Sequence, residues 1–267
     1  MVAIVTAAQS AALRVVISGA SSGIGAALAR QYAQQGAHLA LIARNANALE
    51  QLAAALPSTC SVYPLDVRDG AALRRAGDDF IARCGCPDIV IANAGISVGT
   101  LTDYAEDIPV FDETMQTNVL GVVQTFHPFL ACMRERRGGA LVGIASVAGY
   151  RGLPGGGAYS ASKAAVISYM ESLRTELRDT GIRVITICPG YVATPMTEDN
   201  PYAMPFLMQS DRAAAKIADL IRRGRTYAVI PWQMAFVARV MHMLPNWIYD
   251  RLVARAPRKP RRAATRR

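Results

Sequence analysis

A chain of 267 residues with 52% hydrophobic side chains is long enough for one substantial core, and no run of 18 apolar residues goes unbroken, which argues against a membrane-spanning helix. The formal charge of +9 is uneven: eight of the 29 basic residues fall between Arg251 and Arg267 with no acidic residue among them, so the first 250 are nearly neutral. That distribution excludes a basic nucleic-acid-binding face across the domain.

In chain order, an N-terminal extension (1–12) precedes the apolar run LRVVIS from 13, the glycine-rich turn SGASSGIG (18–25) and the helix-spaced ALARQYAQQG. Further apolar runs follow: HLALIA from 38, CSVYPLDV from 60, DIVIANAG from 88, ALVGIAS from 140, RVITICP from 183 and YAVIP from 227. Helical segments such as GAALRRAGDDFIARCG and AAVISYMESLRTELRDTG separate them and often end at Gly. Strands without polar alternation are buried on both faces, so they predict a parallel sheet covered by helices. The fold class is therefore α/β, a doubly wound Rossmann fold of about seven strands in a single domain over 13–224. Residues 225–255 read as a strand and an amphipathic helical segment, and 256–267, rich in Pro and charge, as a disordered basic tail.

Five cysteines (60, 84, 86, 132 and 188) show no paired zinc-ligand spacing and read as free thiols of a reducing compartment. His38, His127 and His242 are scattered, so no metal is expected. The start MVAIVTAAQSAA lacks the basic residues that open a secretory signal, and the expected location is the cytoplasm.

Chemistry enters at YSASK (159–163). On a helix, positions i and i+4 share a face, which brings the Lys163 ammonium near the Tyr159 phenol and is expected to lower its pKa. The pair alone is weak evidence, since Tyr and Lys at this spacing are common. The turn after the first strand adds more: Gly19 permits a tight bend, while Gly23 and Gly25 let backbone and helix approach a pyrophosphate.

The GxxxGxG spacing resembles that of the short-chain dehydrogenase/reductase family, and the resemblance runs from about Leu13 to Gly224. SGASSGIG is similar to that family's dinucleotide loop, with Ser18 where Thr is more usual, and Asp66 and Val67 resemble its adenine-contacting pair. ANAG (92–95) resembles its NNAG, with Ala92 in place of the first Asn; YSASK matches YxxxK; Pro189, Gly190 and Thr194 resemble the segment that holds the nicotinamide carboxamide. The resemblance implies Asn118, Ser146, Tyr159 and Lys163 as catalytic residues, with Asn118 binding a water that links Lys163 to solvent. It implies a cofactor site of Gly19, Ser21, Ser22, Gly23, Ile24, Gly25, Arg44, Asp66, Val67, Asn93, Ala94, Gly95, Tyr159, Lys163, Pro189, Gly190, Val192 and Thr194.

At the end of the second strand, LIARN places Ala43 and Arg44 where a carboxylate would be expected for a free ribose 2′-hydroxyl. A guanidinium suits a 2′-phosphate, so NADP(H) is the expected cofactor. The expected reaction interconverts a ketone or aldehyde and an alcohol by hydride transfer with Tyr159 as general acid/base. The Met-rich stretch holding Met196, Met204, Phe206, Leu207 and Met208 favours an apolar or lipid-like small-molecule substrate. GGG at 155–157 is expected to form a mobile pocket wall. The alternative is a non-catalytic nucleotide-sensing or membrane-associated module of the same fold. The segment from Pro231, with Trp232, Phe236, Val240, Leu244, Trp247 and Ile248, together with the basic tail, gives the expectation of peripheral contact at the inner face of a membrane. The helical segments around 112–136 and 159–179 resemble those through which relatives form homodimers or homotetramers.

Overall fold

The computed structural model describes residues 12–254 and 256–262. The rest of the N-terminal extension and residues 263–267 of the tail lie outside the described residues. The strands are β1 (Arg14–Ser18), β2 (His38–Ala43), β3 (Cys60–Pro64), β4 (Ile89–Ala92), β5 (Gly139–Ile144), β6 (Ile182–Pro189), the short β7 (Val192–Ala193) and β8 (Met208–Gln209), and β9 (Tyr227–Ile230). The helices are α1 (Gly23–Ala33), α2 (Ala46–Ala55), α3 (Gly70–Cys84), α4 (Asp107–Met115), α5 (Gly121–Phe126), α6 (Leu130–Arg136), α7 (Gly157–Glu176), α8 (Pro195–Glu198), α9 (Ser210–Arg222), α10 (Trp232–Met243) and α11 (Asn246–Val253).

All seven predicted strands form, and they join one parallel sheet in the order β3-β2-β1-β4-β5-β6-β9; β7 and β8 pair separately. Along β1, Val15 and Ile17 pack on one face against α1 and α9, while Val16 packs on the other with Phe80, Phe126 and Phe129. Burial on both faces is what removes the polar alternation from these strands. Strand order reverses between β1 and β4, and a crevice opens there at the carboxyl edge, where this architecture collects ligands.

Helix starts near this edge are set locally. Asn45 Oδ1 accepts from Ala48 N–H at 3.1 Å to cap α2, and Asp69 accepts from Ala72 N–H at 2.9 Å to cap α3. Between α4 and α5, residues Gln116–Leu120 form a π-helical turn that carries the buried Asn118, a departure from the plain helix expected there.

Two sequence expectations are corrected. Cys86 and Cys132 form a disulfide, leaving Cys60, Cys84 and Cys188 as free thiols. Their 46-residue separation is closed only by the packing of α6 beside the start of β4, which spacing does not reveal. The tail is not disordered over 256–262: these residues run over the carboxyl edge, with Gly99 N–H donating to Pro260 O at 3.0 Å and Arg261 Nε to Asp107 at 2.7 Å. Acidic partners elsewhere in the chain, invisible from the tail's own composition, hold it.

Arg151 secures the C-terminal helices. Its guanidinium donates to the carbonyls of Met241, His242 and Leu244 at 3.2, 3.1 and 2.9 Å and lies 4.2 Å from the Tyr249 ring centroid. Beyond that anchor, Trp232, Phe236, Val240 and Met243 of α10 and Trp247 and Leu252 of α11 remain exposed. Among the described residues no helix is long and apolar enough to cross a membrane.

Candidate active site

The crevice is a groove of about 640 Å³, lined by the loop after β1, the ends of β2 and β3, and the turn after β4. Asn93 builds its floor: Nδ2 donates to the carbonyls of Ser18 and Gly19, both at 3.1 Å, tying β4 to the glycine turn. Two glycines make this possible. Gly19 has φ +68°, and a Cβ on it would fall 2.7 Å from Ala94 Cα; a Cβ on Gly25 would collide with the Gly19 carbonyl. At the N-terminus of α1, Ser22 makes no side-chain cap and the first turn holds no acidic residue, so backbone N–H groups and the positive end of the helix dipole are left for an anion. A cradle closed to any Cβ beneath an uncapped helix start fits the pyrophosphate of a dinucleotide.

Of the sequence-assigned cofactor residues, Gly19, Ser21, Ser22, Gly23, Ile24, Arg44, Asp66, Val67, Asn93, Ala94, Gly95 and Thr194 line the groove. Gly25 lies beneath the loop, Val192 is buried in the core, and Gly190 opens into a second pocket. Asn45, Leu65, Ile96, Thr117 and Pro195 were not foreseen as lining. Asp66 is the one acidic residue on the groove wall among the described residues, and Arg68, also unforeseen, holds it from Nε at 3.0 Å and Nη2 at 2.7 Å. The Arg68 guanidinium keeps that carboxyl below its usual range, and Arg44 lowers it further. Arg44 itself has no carboxylate within 4 Å among the described residues.

The second pocket, about 300 Å³, adjoins the groove at Met196 and is lined by Ser146, Tyr159, Tyr191 and Tyr202, with Val147, Ala148 and Leu153 as apolar wall. Ser146 follows β5; its Oγ accepts from Ala148 N–H at 3.1 Å and lies a long 3.5 Å from the Pro189 carbonyl, so its proton is available to a ligand. Tyr159 and Lys163 lie in the first two turns of α7, at the carboxyl edge, with Lys163 Nζ 5.8 Å from the phenol ring centroid. A Cβ on Gly95 would stand 3.6 Å from that nitrogen, so the lysine sits directly under the groove floor.

The electrostatics differ from the expected lowering of the phenol. Lys163 is 4% exposed, donates to the Ile144 carbonyl at 2.8 Å, and has no carboxylate within 4 Å among the described residues; burial pulls its pKa down to about 8. Burial likewise raises Tyr159 above its ordinary value, opposed by the Ser146 hydroxyl rather than by the lysine. Asn118 is held through its side chain. Its Oδ1 accepts from Ile96 N–H at 2.8 Å, and Nδ2 donates to Ile96 O and Ser162 Oγ, both at 2.9 Å. Both amide protons are occupied, and the side chain fixes the turn after β4 against α7.

Other expectations shift as well. Met208 is core and Phe206 and Leu207 face solvent, which leaves Met196 as the lining methionine and makes the pocket tyrosine-rich. The GGG wall is pinned, since Thr100 N–H donates to Gly155 O at 2.9 Å and Gly156 bridges Thr100. Among the described residues no group of His, Cys, Asp and Glu could hold a metal ion.

The family model described as short chain dehydrogenase matches residues 14–204, and the chain belongs to that family. A Myxococcus xanthus protein described as an uncharacterized oxidoreductase is 39% identical over 238 residues, 88% of this chain and 94% of that one. The crystal structure of a short-chain dehydrogenase from Streptomyces avermitilis superposes with a TM-score of 0.77 at 28% identity, covering 86% of this chain and 92% of the other. An alcohol dehydrogenase from the archaeon Thermococcus sibiricus, complexed with 5-hydroxy-NADP, gives 0.71 at 27% identity over 82% and 95%. The protein is thus an oxidoreductase of the short-chain class with a nucleotide-binding Rossmann fold.

The cradle yields a direct test. Gly25→Ala is expected to keep the far-UV circular dichroism spectrum, because Ala favours the helix, yet to weaken NADPH binding at least about tenfold by displacing the Gly19 turn. Unchanged affinity by fluorescence titration would contradict the cradle.

Proposed function

We propose that the protein is an NADP(H)-dependent oxidoreductase interconverting a ketone or aldehyde and its alcohol. The observation that carries this reading is the meeting of Ser146 and Tyr159 in one pocket with Lys163 buried under the adjoining groove. The solved relative from Thermococcus sibiricus, in complex with 5-hydroxy-NADP, supports the cofactor class.

Arg44, at the end of β2 with no carboxylate within 4 Å among the described residues, would hold the 2′-phosphate; the α1 start would hold the pyrophosphate; Lys163 would hold ribose hydroxyls. NADP(H), when bound, supplies or accepts the hydride. The Ser146 hydroxyl donates to the carbonyl oxygen and fixes it beside the phenol. Tyr159, kept protonated by burial, donates its proton to that oxygen as negative charge develops, and takes it back in the oxidising direction. The Ser146 hydroxyl favours the phenolate formed by that transfer, and Asn118 positions Ile96 and α7 around the site.

A volume of about 300 Å³ is at the lower end for small-molecule sites, so the substrate is an apolar-bodied molecule of modest size, and a long lipid chain would not be enclosed. For peripheral membrane contact, the exposed tryptophan face of α10 and α11 is the supporting observation. The electrostatic part of that reading loses Lys259, Arg261 and Arg262, which are engaged within the fold. For a homodimer or homotetramer, the support is the exposed Ile108, Phe111 and Leu120 of α4 and the π turn.

Tyr159→Phe is expected to bind NADPH normally while turnover of any accepted ketone falls roughly 10²- to 10⁴-fold; near-normal turnover would exclude the proton-transfer role. Kinetic runs with both nicotinamide cofactors are expected to favour NADPH over NADH at least about tenfold, and Arg44→Ala to narrow that ratio toward one. Equal efficiency in the wild type would remove Arg44 from its role.

A further inference from the structure

Residues 256–262 form a strap across the mouth of the small pocket, and independent contacts fix it. Besides the bond from Gly99 N–H to Pro260 O, a Cβ on Gly99 would stand 2.7 Å from that oxygen, so the approach of strap to loop needs the glycine. Asp107, 4% exposed, accepts from Leu101 N–H at 2.8 Å and from Arg261 Nε at 2.7 Å. No other basic group lies within 4 Å of it among the described residues, so a nearly enclosed carboxylate takes its cation from the strap. The Arg261 guanidinium also stacks 3.5 Å from the Tyr104 ring centroid, and Arg262 pairs with Glu113 at 2.8 Å.

Held in this way, the strap turns Lys259 inward. Its Nζ donates to Ser97 Oγ at 2.9 Å and to the Met196 carbonyl at 3.1 Å, and the side chain lines the same pocket as Ser146 and Tyr159. Both acceptors are neutral, and one N–H of the ammonium has no partner among the described residues. Asp199 acts on it only from beyond 4 Å, and burial pulls the ammonium below the usual lysine range. A partly desolvated cation with a donor to give, lining the same pocket as Tyr159 among otherwise neutral described residues, recognises an anion.

We propose that Lys259, carried into the pocket by the strap, is a specificity-determining residue that selects substrates bearing a carboxylate on an apolar body; this rests on the carbonyl-reductase reading above. A nucleotide phosphate is the other source of such an anion, because Met196 borders the groove as well. The substrate is favoured because Lys259 lines the pocket of Tyr159 and is absent from the groove wall.

The test assays oxo carboxylates of graded chain length, each beside its methyl ester, with NADPH and the full chain. The expected result is a wild-type preference for acid over ester of at least about tenfold in kcat/KM for the best-fitting length. The acid-over-ester ratio falls to about one in Lys259→Met and is largely restored in Lys259→Arg. Arg261→Leu, which keeps the Lys259 side chain but loosens the strap that carries it into the pocket, reproduces the loss. Calorimetric titration with hexanoate against hexanamide gives the same ordering without turnover. Esters equal to acids across the series, a ratio unmoved by Lys259→Met, or a change confined to the KM for NADPH would each overturn the inference. Reduction of neutral ketones alone would sink it and leave the proposed function standing, whereas a chain inert toward every carbonyl would sink both.

Discussion

The Lys163 ammonium is the constraint around which the site is organised. It is buried at the carboxyl edge of the sheet, where among the described residues it has a single carbonyl acceptor and no carboxylate within 4 Å. Holding it charged at neutral pH costs on the order of 3 kcal/mol, from a pKa pulled from 10.5 to about 8. Marginal folding stability makes such a cost appreciable, and a surface lysine would have avoided it. The arrangement makes sense when the missing acceptors arrive with a ligand: the groove floor at Gly95 passes directly above the amine. The same burial raises the neighbouring phenol above its ordinary pKa.

Strand order, close-packed glycines and two side-chain amides bonded to backbone place this amine. The reversal of strand order between β1 and β4 opens the crevice; Asn93 and the two colliding glycines set its floor; Asn118, in a π turn, locks Ile96 against α7. These are rigid supports, and they keep the groove narrow where a dinucleotide needs backbone contact. The opposite wall is built differently. Helix α8 has four residues, and the roof above the small pocket is a C-terminal strap held by ion pairs and a stacked guanidinium. A family scaffold thus carries the chemistry, while a segment outside the family match at 14–204 shapes what can reach it.

The seven strands and their parallel arrangement were legible in the sequence because burial on both faces leaves uninterrupted apolar runs, as in HLALIA and DIVIANAG. The groove residues were legible because five motifs stand in register with those of the short-chain dehydrogenase family; the glycine turn alone would have been a weak signal, since many turns use Gly. What the sequence hid was pairing over distance. Cys86 and Cys132, 46 residues apart, gave no spacing signal. Lys259 and Arg261 looked like solvated charge because Asp107, Tyr104 and Ser97, which engage them, lie over 150 positions earlier. Asn118 was placed in a plain helix, and both the π turn that carries it and its target at Ile96 follow only from the fold. The i, i+4 rule brought Tyr159 and Lys163 to one face correctly; it said nothing of burial, and burial reverses the expected shift of the phenol.

The most direct measurement is the titration of the Lys163 side chain itself by NMR, in uniformly labelled protein assigned through Lys163→Met, with and without NADP⁺. A pKa near 8 in the nucleotide-free protein and a clear rise on binding are the results this account predicts. An amine that titrates near 10.5 in the free protein, and does not move when the nucleotide binds, would contradict it.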